Sequence, residues 1–432
     1  MNIIVALLIL GVIVLIHELG HFLLAKANGV TVTEFSIGMG PRLASIERKG
    51  TRYSLKLLPI GGSCMMLGED ESIDDAGAFN KKGVWARFSV IFAGAFFNFI
   101  LAYVLSLIFV GNVGIDRPIV TGTVVNSAAE GVLQEGDEIT AINGSPIHFS
   151  REINYYLYFN PLSEKPIEVT YIRDGAKKTS SVTPKWTESY MLGCSYARSA
   201  TAAKMESITE GYPLAEAGLQ VDDVIVNING TDIASGEAFA AYIDANPLTE
   251  EKITISYVRD GDTANPITVM VSPKLVASNY SVGMKYNPSF EKASALDVIE
   301  YSFYEVKLNI VNTLKSVLYL ISGKAHLNEI AGPVGIVNYV DDIVSETKDY
   351  GIGITVLSLI EFSIMISANL GVMNLLPFPA LDGGRLVFIL IEAIFRKPVP
   401  KEKEAMVHMI GMALLMALMV FVLFNDIRNI FG

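Results

Sequence analysis

NIIVALLILGVIVLIHELGHFLLA, residues 2–25, is the stretch that decides the fold: its 24 positions hold no Lys, Arg or Asp. At about 1.5 Å per helical residue it outruns the roughly 30 Å hydrocarbon thickness of a bilayer, so it reads as a spanning helix. The alternative is a cleaved signal peptide. That reading lacks a Lys or Arg ahead of the apolar run and a small-residue cleavage site behind it.

Three further runs follow. Residues 88–110 carry no charge and come after Lys81, Lys82 and Arg87, and two more apolar runs cover residues 352–376 and 405–424. Glu361 falls inside the third run and suggests that this span starts later, near Phe362. About four spans are expected. The loop from Lys26 to Arg87 holds nine Lys or Arg and the loop from Arg385 to Lys403 holds five, so both are expected to face the cytoplasm. Residues 111–351 and both termini then lie outside it.

Composition agrees with a membrane protein: 51% of residues are hydrophobic and only 18% charged. A net charge of −12 leaves no basic face to neutralise phosphates, which excludes a nucleic-acid partner. Cys64 and Cys194 are expected on opposite sides of the membrane, so no disulfide framework is implied.

The segment between the second and third spans matches itself at an offset of 86 residues. Leu133-Gln134 falls on Leu219-Gln220, Asp137 on Asp223, Ile142-Asn143-Gly144 on Ile228-Asn229-Gly230, Asn160-Pro161-Leu162 on Asn246-Pro247-Leu248, and Arg173-Asp174-Gly175 on Arg259-Asp260-Gly261. Short strands, Asn-Gly and Asp-Gly turns and one helix near residues 153–159 predict two related β-rich domains. Ala217 to Gly230 resembles the PDZ domains of bacterial envelope proteases, and residues 130–144 are a looser copy. Such domains take extended peptides or carboxyl termini by strand addition; the alternative is a pair of spacers without a ligand. Beyond the repeats, Leu296, Ile299, Phe303, Val306 and Ile310 recur at helical spacing, which predicts an amphipathic helix lying on the membrane or packed against the spans.

His17-Glu18-Leu19-Gly20-His21 puts two imidazoles at i and i+4 on one helix face with a carboxylate beside them. A central charge in a membrane helix costs about 2.5 to 3.5 kcal/mol, so three ionisable groups together call for a compensating ion. Two imidazoles suit zinc, and a catalytic site needs a third protein ligand from elsewhere. Of the other histidines, His148 and His326 are expected on the opposite side, and His408 reads as an interfacial residue. A carboxylate is the better candidate. The third span ends in Asn374-Leu-Leu-Pro377-Phe-Pro-Ala-Leu-Asp382-Gly-Gly-Arg385, where two prolines and a Gly-Gly pair must break the helix, and such backbone survives in a membrane only where protein or a wet cavity lines it. Asp382 lies there and completes a His, His, carboxylate set.

His17-Glu-x-x-His21 followed by Asn374-x-x-Pro377-x-Pro-x-Leu-Asp382-Gly resembles the site-2 protease family of intramembrane zinc metalloproteases. Further stretches carry the likeness: Thr33-Glu-Phe-Ser-Ile-Gly-Met-Gly-Pro41, Leu67-Gly-Glu-Asp70, Arg87 with Ala93-Gly94-x-x-x-Asn98, and Gly332-Pro-Val-Gly-Ile336. Two PDZ-like units between the second and third spans are similar to the bacterial envelope-stress branch. Ser63-Cys64 after Gly61-Gly62 departs from the family pattern, which has a larger residue there.

The resemblance implies a multi-span α-helical protein of the bacterial cytoplasmic (inner) membrane with two β-rich, PDZ-like extracytoplasmic domains. Its parts are expected at residues 1–115 (membrane half with the zinc motif), 116–190 and 198–288 (PDZ-like), 289–350 (amphipathic helical linker) and 351–432 (membrane half with the third ligand). It implies one Zn2+ on His17, His21 and Asp382, Glu18 as general base, and Asn374, Pro377 and Asn98 as substrate-binding residues. The implied partners are transmembrane segments of single-span proteins, such as pre-cleaved anti-sigma factors or remnant signal peptides, together with the lipid bilayer and peptide ligands of the PDZ-like domains. A cytoplasmic β-hairpin holds the substrate extended in the family, and the alternating run Tyr53-Ser-Leu-Lys-Leu57 is the expected edge. Two other classes compete: a scaffold with a structural metal, which has no use for Glu18, and a metal transporter, which has no use for peptide-binding modules.

Overall fold

A computed structural model describes residues 2–69, 71–262, 264–286, 290–324 and 332–431. Asp70 and His326 lie outside them. The chain divides into two units, one from residues 1–115 and 290–432 and the other from residues 116–289.

The first unit opens with α1 (Asn2–Ala27), then two long strands, β1 (Val32–Arg48) and β2 (Thr51–Met66), and then α2 (Val84–Val113). Each strand bends, so that Phe35 pairs with Tyr53 on one side and Cys64 on the other, while Ile46 also pairs with Tyr53. The result is four runs side by side: 44–48, 51–58, 32–39 and 62–66. Residues 53–55, within the run 53–57, are therefore paired on both sides. They are not the free edge expected from their alternation; among the described residues, the inner edge belongs to 62–66.

The β-rich unit carries α3 (Ser150–Phe159), α4 (Pro213–Glu216) and α5 (Gly236–Ala245). Two separate cores form within it, one around Ile139, Ile142, Ile153, Val169 and Tyr171, the other around Ile225, Ile228, Phe239, Ile255 and Tyr257. Residues 86 apart make the same bonds. Arg173 forks onto Asp137 and reaches the Val132 carbonyl, and Arg259 forks onto Asp223 and reaches the Gly218 carbonyl. Burial alone would raise both carboxyls; the arginine and a backbone N–H outweigh it and hold them below the usual 3.8. Asn143 and Asn229 sit at φ 48° and 47°, each accepting a backbone N–H from a neighbouring strand.

The cores do not follow chain order. Met284–Tyr286 pairs with Val120–Thr123, and Val282 is buried in the first core, so residues expected in the second domain complete the first. Leu192, Cys194 and Tyr196 meanwhile pack on the second core. A ribbon of Lys185–Met191 with Lys274–Ser281 joins the departing and returning strands.

The first unit resumes with α6 (Ala295–Ile321), α7 (Pro333–Thr347), α8 (Ile352–Leu375), α9 (Asp382–Phe395) and α10 (Lys401–Phe431). Among the described residues, four helices, α1, α2, α8 and α10, are long and apolar enough to cross a membrane. α8 starts at Ile352 and runs through Glu361, so that residue marks no helix start. α6 and α7 are not a linker: α6 packs on α2 and α8, burying Ser302, Glu305, Val306 and Leu308, and α7 packs on α1 and α8. α2 is central, with α1, α6, α8 and α9 against it. Small residues permit this closeness, since a Cβ on Gly20 would lie 2.8 Å from the Ala93 carbonyl carbon and one on Gly371 would lie 2.6 Å from Phe99.

Candidate metal centre

His17 and His21 lie one turn apart on α1, both buried, their ring centroids 4.8 Å apart. They face α2 at Gly94, where any side chain would strike both rings. His21 Nδ1 donates to the Val90 carbonyl at 2.8 Å, which leaves the lone pair on Nε2. His17 Nδ1 is 3.3 Å from the side-chain nitrogen of Asn98, whose own Oδ1 is buried without a partner. As it stands, Asn98 Nδ2 faces His17 Nδ1; with the amide's O and N exchanged, Oδ1 accepts from His17 Nδ1–H, the tautomer in which His17 Nε2 keeps its lone pair. Asn98 thus sits behind the imidazole, on its far nitrogen.

Asp382 arrives from 365 positions downstream of His17 through the break in the third span. α8 ends at Leu375, residues 376–381 are not helical, and α9 begins at Asp382. The Gly-Gly pair is steric: a Cβ on Gly383 would lie 2.5 Å from the Leu375 carbonyl carbon, and one on Gly384 3.0 Å from that of Phe378. Two ion pairs fix α9, Arg385 with Glu69 and Arg87 with Glu392. Asp382 Oδ2 then stands 3.1 Å from His17 Nε2 and 3.3 Å from His21 Nε2, and the two nitrogens are 3.1 Å apart.

Two lone pairs and a carboxylate oxygen facing one another in a buried space repel unless a cation lies among them. The three ligand atoms fall within 4.8 Å of one another, and Asp382 Oδ2 has no hydrogen-bond partner. A His, His, carboxylate set with an open side is the donor chemistry of catalytic zinc, so these residues fit that ion.

Glu18 is half-buried beside the pair. Its side chain lies against Gly62, where a Cβ would be 3.2 Å from Glu18 Cγ, so the inner edge of the sheet runs past it. Cys64 on that edge is not among the three clustered ligands; burial, then the charges of Glu18 and Glu69, push its thiol up to about 12. Both cysteines are free. Asn374 is in the last turn of α8 and Pro377 is exposed in the loop after it. His148 pairs with Glu152 in the β-rich unit. His408 is not merely interfacial, because its Nδ1 accepts the Ala380 N–H at 2.9 Å. Sequence reasoning singled out Gly94 and Asn98 through the family resemblance but missed that, with Val90 at the same four-residue spacing, they form the α2 face that receives the imidazoles.

Comparison with known proteins agrees with this geometry. Peptidase family M50 matches residues 5–418. The chain is 31% identical to the zinc metalloprotease RasP of Bacillus licheniformis over 456 residues, covering 100% of both chains. It is 29% identical to the regulator of sigma-W protease RasP of Bacillus subtilis, covering 100% of this chain and 99% of that one. Against the regulator of sigma E protease of Haemophilus influenzae the figures are 30% identity and 96% of each chain. The match runs through both halves of the membrane unit and the β-rich unit between them, and as a zinc metalloendopeptidase of the site-2 protease type the chain belongs to Peptidase family M50.

Proposed function

We propose that this enzyme cleaves transmembrane segments of single-span proteins within the membrane, with one zinc ion held by His17, His21 and Asp382. The observation that carries this is the convergence of those three acceptors between spanning helices, next to a carboxylate and a free strand edge. Zinc bound there would supply a Lewis acid for water and for the scissile carbonyl. Glu18 takes a proton from the water and returns it to the leaving amine. The edge at residues 62–66 offers unpaired backbone groups to a substrate whose helix has unwound, keeping it extended past Glu18. Asn374 and Pro377, at the mouth of the broken stretch, are assigned to substrate contact.

The basic loops support a reading in which the metal centre lies toward the cytoplasm and the β-rich unit outside it. The two globules read as PDZ-like modules. A cavity of about 370 Å³ between α3 and the returning strand, lined by Ile153, Leu157, Val169 and Val282, suits an apolar peptide. The substrate class is that of regulated intramembrane proteolysis, such as pre-cleaved anti-sigma factors or remnant signal peptides.

The test compares membrane-bound fragments in cells carrying the native chain or Glu18→Gln. The variant should keep stoichiometric zinc and lose cleavage by roughly 10²- to 10⁴-fold. Equal fragment patterns in the two strains would refute the assignment.

A further inference from the structure

The turn that delivers Asp382 is strained. Leu381 N–H donates to the Phe378 carbonyl at 3.2 Å, closing a reverse turn with Pro379 second and Ala380 third, and Ala380 has φ +78°. A proline at the second position and positive φ at the third are the type II pattern, whose third position takes glycine because a Cβ is crowded there. This chain has alanine, so something outside the turn must hold it.

α10 does so. The Ala380 N–H, unused by the turn's own bond, donates to His408 Nδ1 at 2.9 Å, and the imidazole rests on Phe388 of α9 with centroids 5.6 Å apart. One turn further along, Gly411 lets the helix close on the turn, since a Cβ there would lie 2.5 Å from the Pro379 carbonyl oxygen. At its other end, α10 is tied by Asp426, which accepts the N–H groups of Gly332, Val334 and Gly335 at 3.0, 3.2 and 3.0 Å. Between these ties α10 is largely exposed. The fourth span therefore meets the ligand-bearing turn at His408 and Gly411.

We propose that His408 is a positioning residue: by accepting the Ala380 N–H it holds the strained turn in the form that sets Asp382 against the two imidazoles. This rests on reading Asp382 as a zinc ligand. Packing alone would require only a side chain of similar size, whereas the proposal requires an acceptor at the Nδ1 position. Asparagine carries one there and leucine does not. Glycine at 380 removes the strain that the acceptor opposes.

The full-length protein in detergent is titrated with a competing zinc chelator. His408→Leu should weaken zinc binding by about 10- to 100-fold, His408→Asn should stay within about threefold of native, and Ala380→Gly should restore most of the affinity of His408→Leu. If His408→Leu fails to accumulate, the asparagine variant and the Ala380→Gly, His408→Leu double variant still decide. Asp382→Ala separates the two ideas: retained stoichiometric zinc there overturns the ligand reading itself. Loss of zinc in Asp382→Ala together with native affinity in His408→Leu overturns only the positioning role, as does asparagine behaving like leucine with no rescue by glycine.

Discussion

Gly94 and His21 meet across the α1 and α2 interface so closely that a Cβ on the glycine would stand 2.6 Å from the imidazole Cε1, and 2.7 Å from that of His17. The absent side chain is thus part of the metal centre. Gly94→Ala leaves all three ligands in the sequence but forces both rings from their places, an overpacking cost of about 1–3 kcal/mol at a site that tolerates little movement. We expect folded protein with zinc binding weakened by about tenfold or more, read as metal content after dialysis against a weak chelator. Native zinc content in this variant would show that the helices separate more easily than their packing implies.

Asn98 gives a second prediction, which separates orientation from substrate contact. With its amide turned so that the oxygen accepts from His17 Nδ1–H, Asn98→Asp keeps an acceptor and Asn98→Leu removes it at nearly constant volume. The leucine variant should lose about 10- to 100-fold in zinc affinity, and the aspartate variant much less. A substrate-binding role would show instead as a raised KM with zinc affinity unchanged.

The contrast between these residues explains what sequence could reveal. His17, Glu18 and His21 are legible because their relationship is local, one helical turn, and Asp382 because prolines and glycines flag broken backbone in an apolar run. Gly94 and Val90 act through absence and through a backbone carbonyl, which leave no chemical signature in a list of side chains. The edge at 62–66 depends on which strand lies between which, and alternation in residues 53–57 cannot report that. The spans were legible from length and charge alone; α9 was hidden within a stretch that charge counting treats as loop.

Gly62 tests the edge. A side chain there would press on Glu18 Cγ at 3.2 Å and on the Ser36 carbonyl at 2.9 Å, displacing the proposed base and the strand while leaving the three proposed ligands alone. Gly62→Val should therefore retain native zinc content yet cleave a membrane substrate about tenfold more slowly or worse. Parallel loss of zinc and activity would mean that the strand supports the ligands themselves.

The nested β-rich unit makes the fourth prediction, about which pieces can fold. Residues 192–273 contain every buried residue of the second core. Residues 116–191 lack Val282, Met284 and Tyr286, which pack on the first core, and lack the partner strand of Val120–Thr123. Burial of a large apolar side chain is worth about 1.5–3 kcal/mol, and a domain's whole stability is about 5–15 kcal/mol, so losing three such contacts with a strand approaches the entire margin. The fragment 192–273 should unfold cooperatively on its own, whereas 116–191 should show no transition. Joining residues 280–286 to the end of the latter through a flexible linker should restore one, measured by circular dichroism on heating. Cooperative unfolding of 116–191 alone would show that the returning strand is ornament to a core already complete.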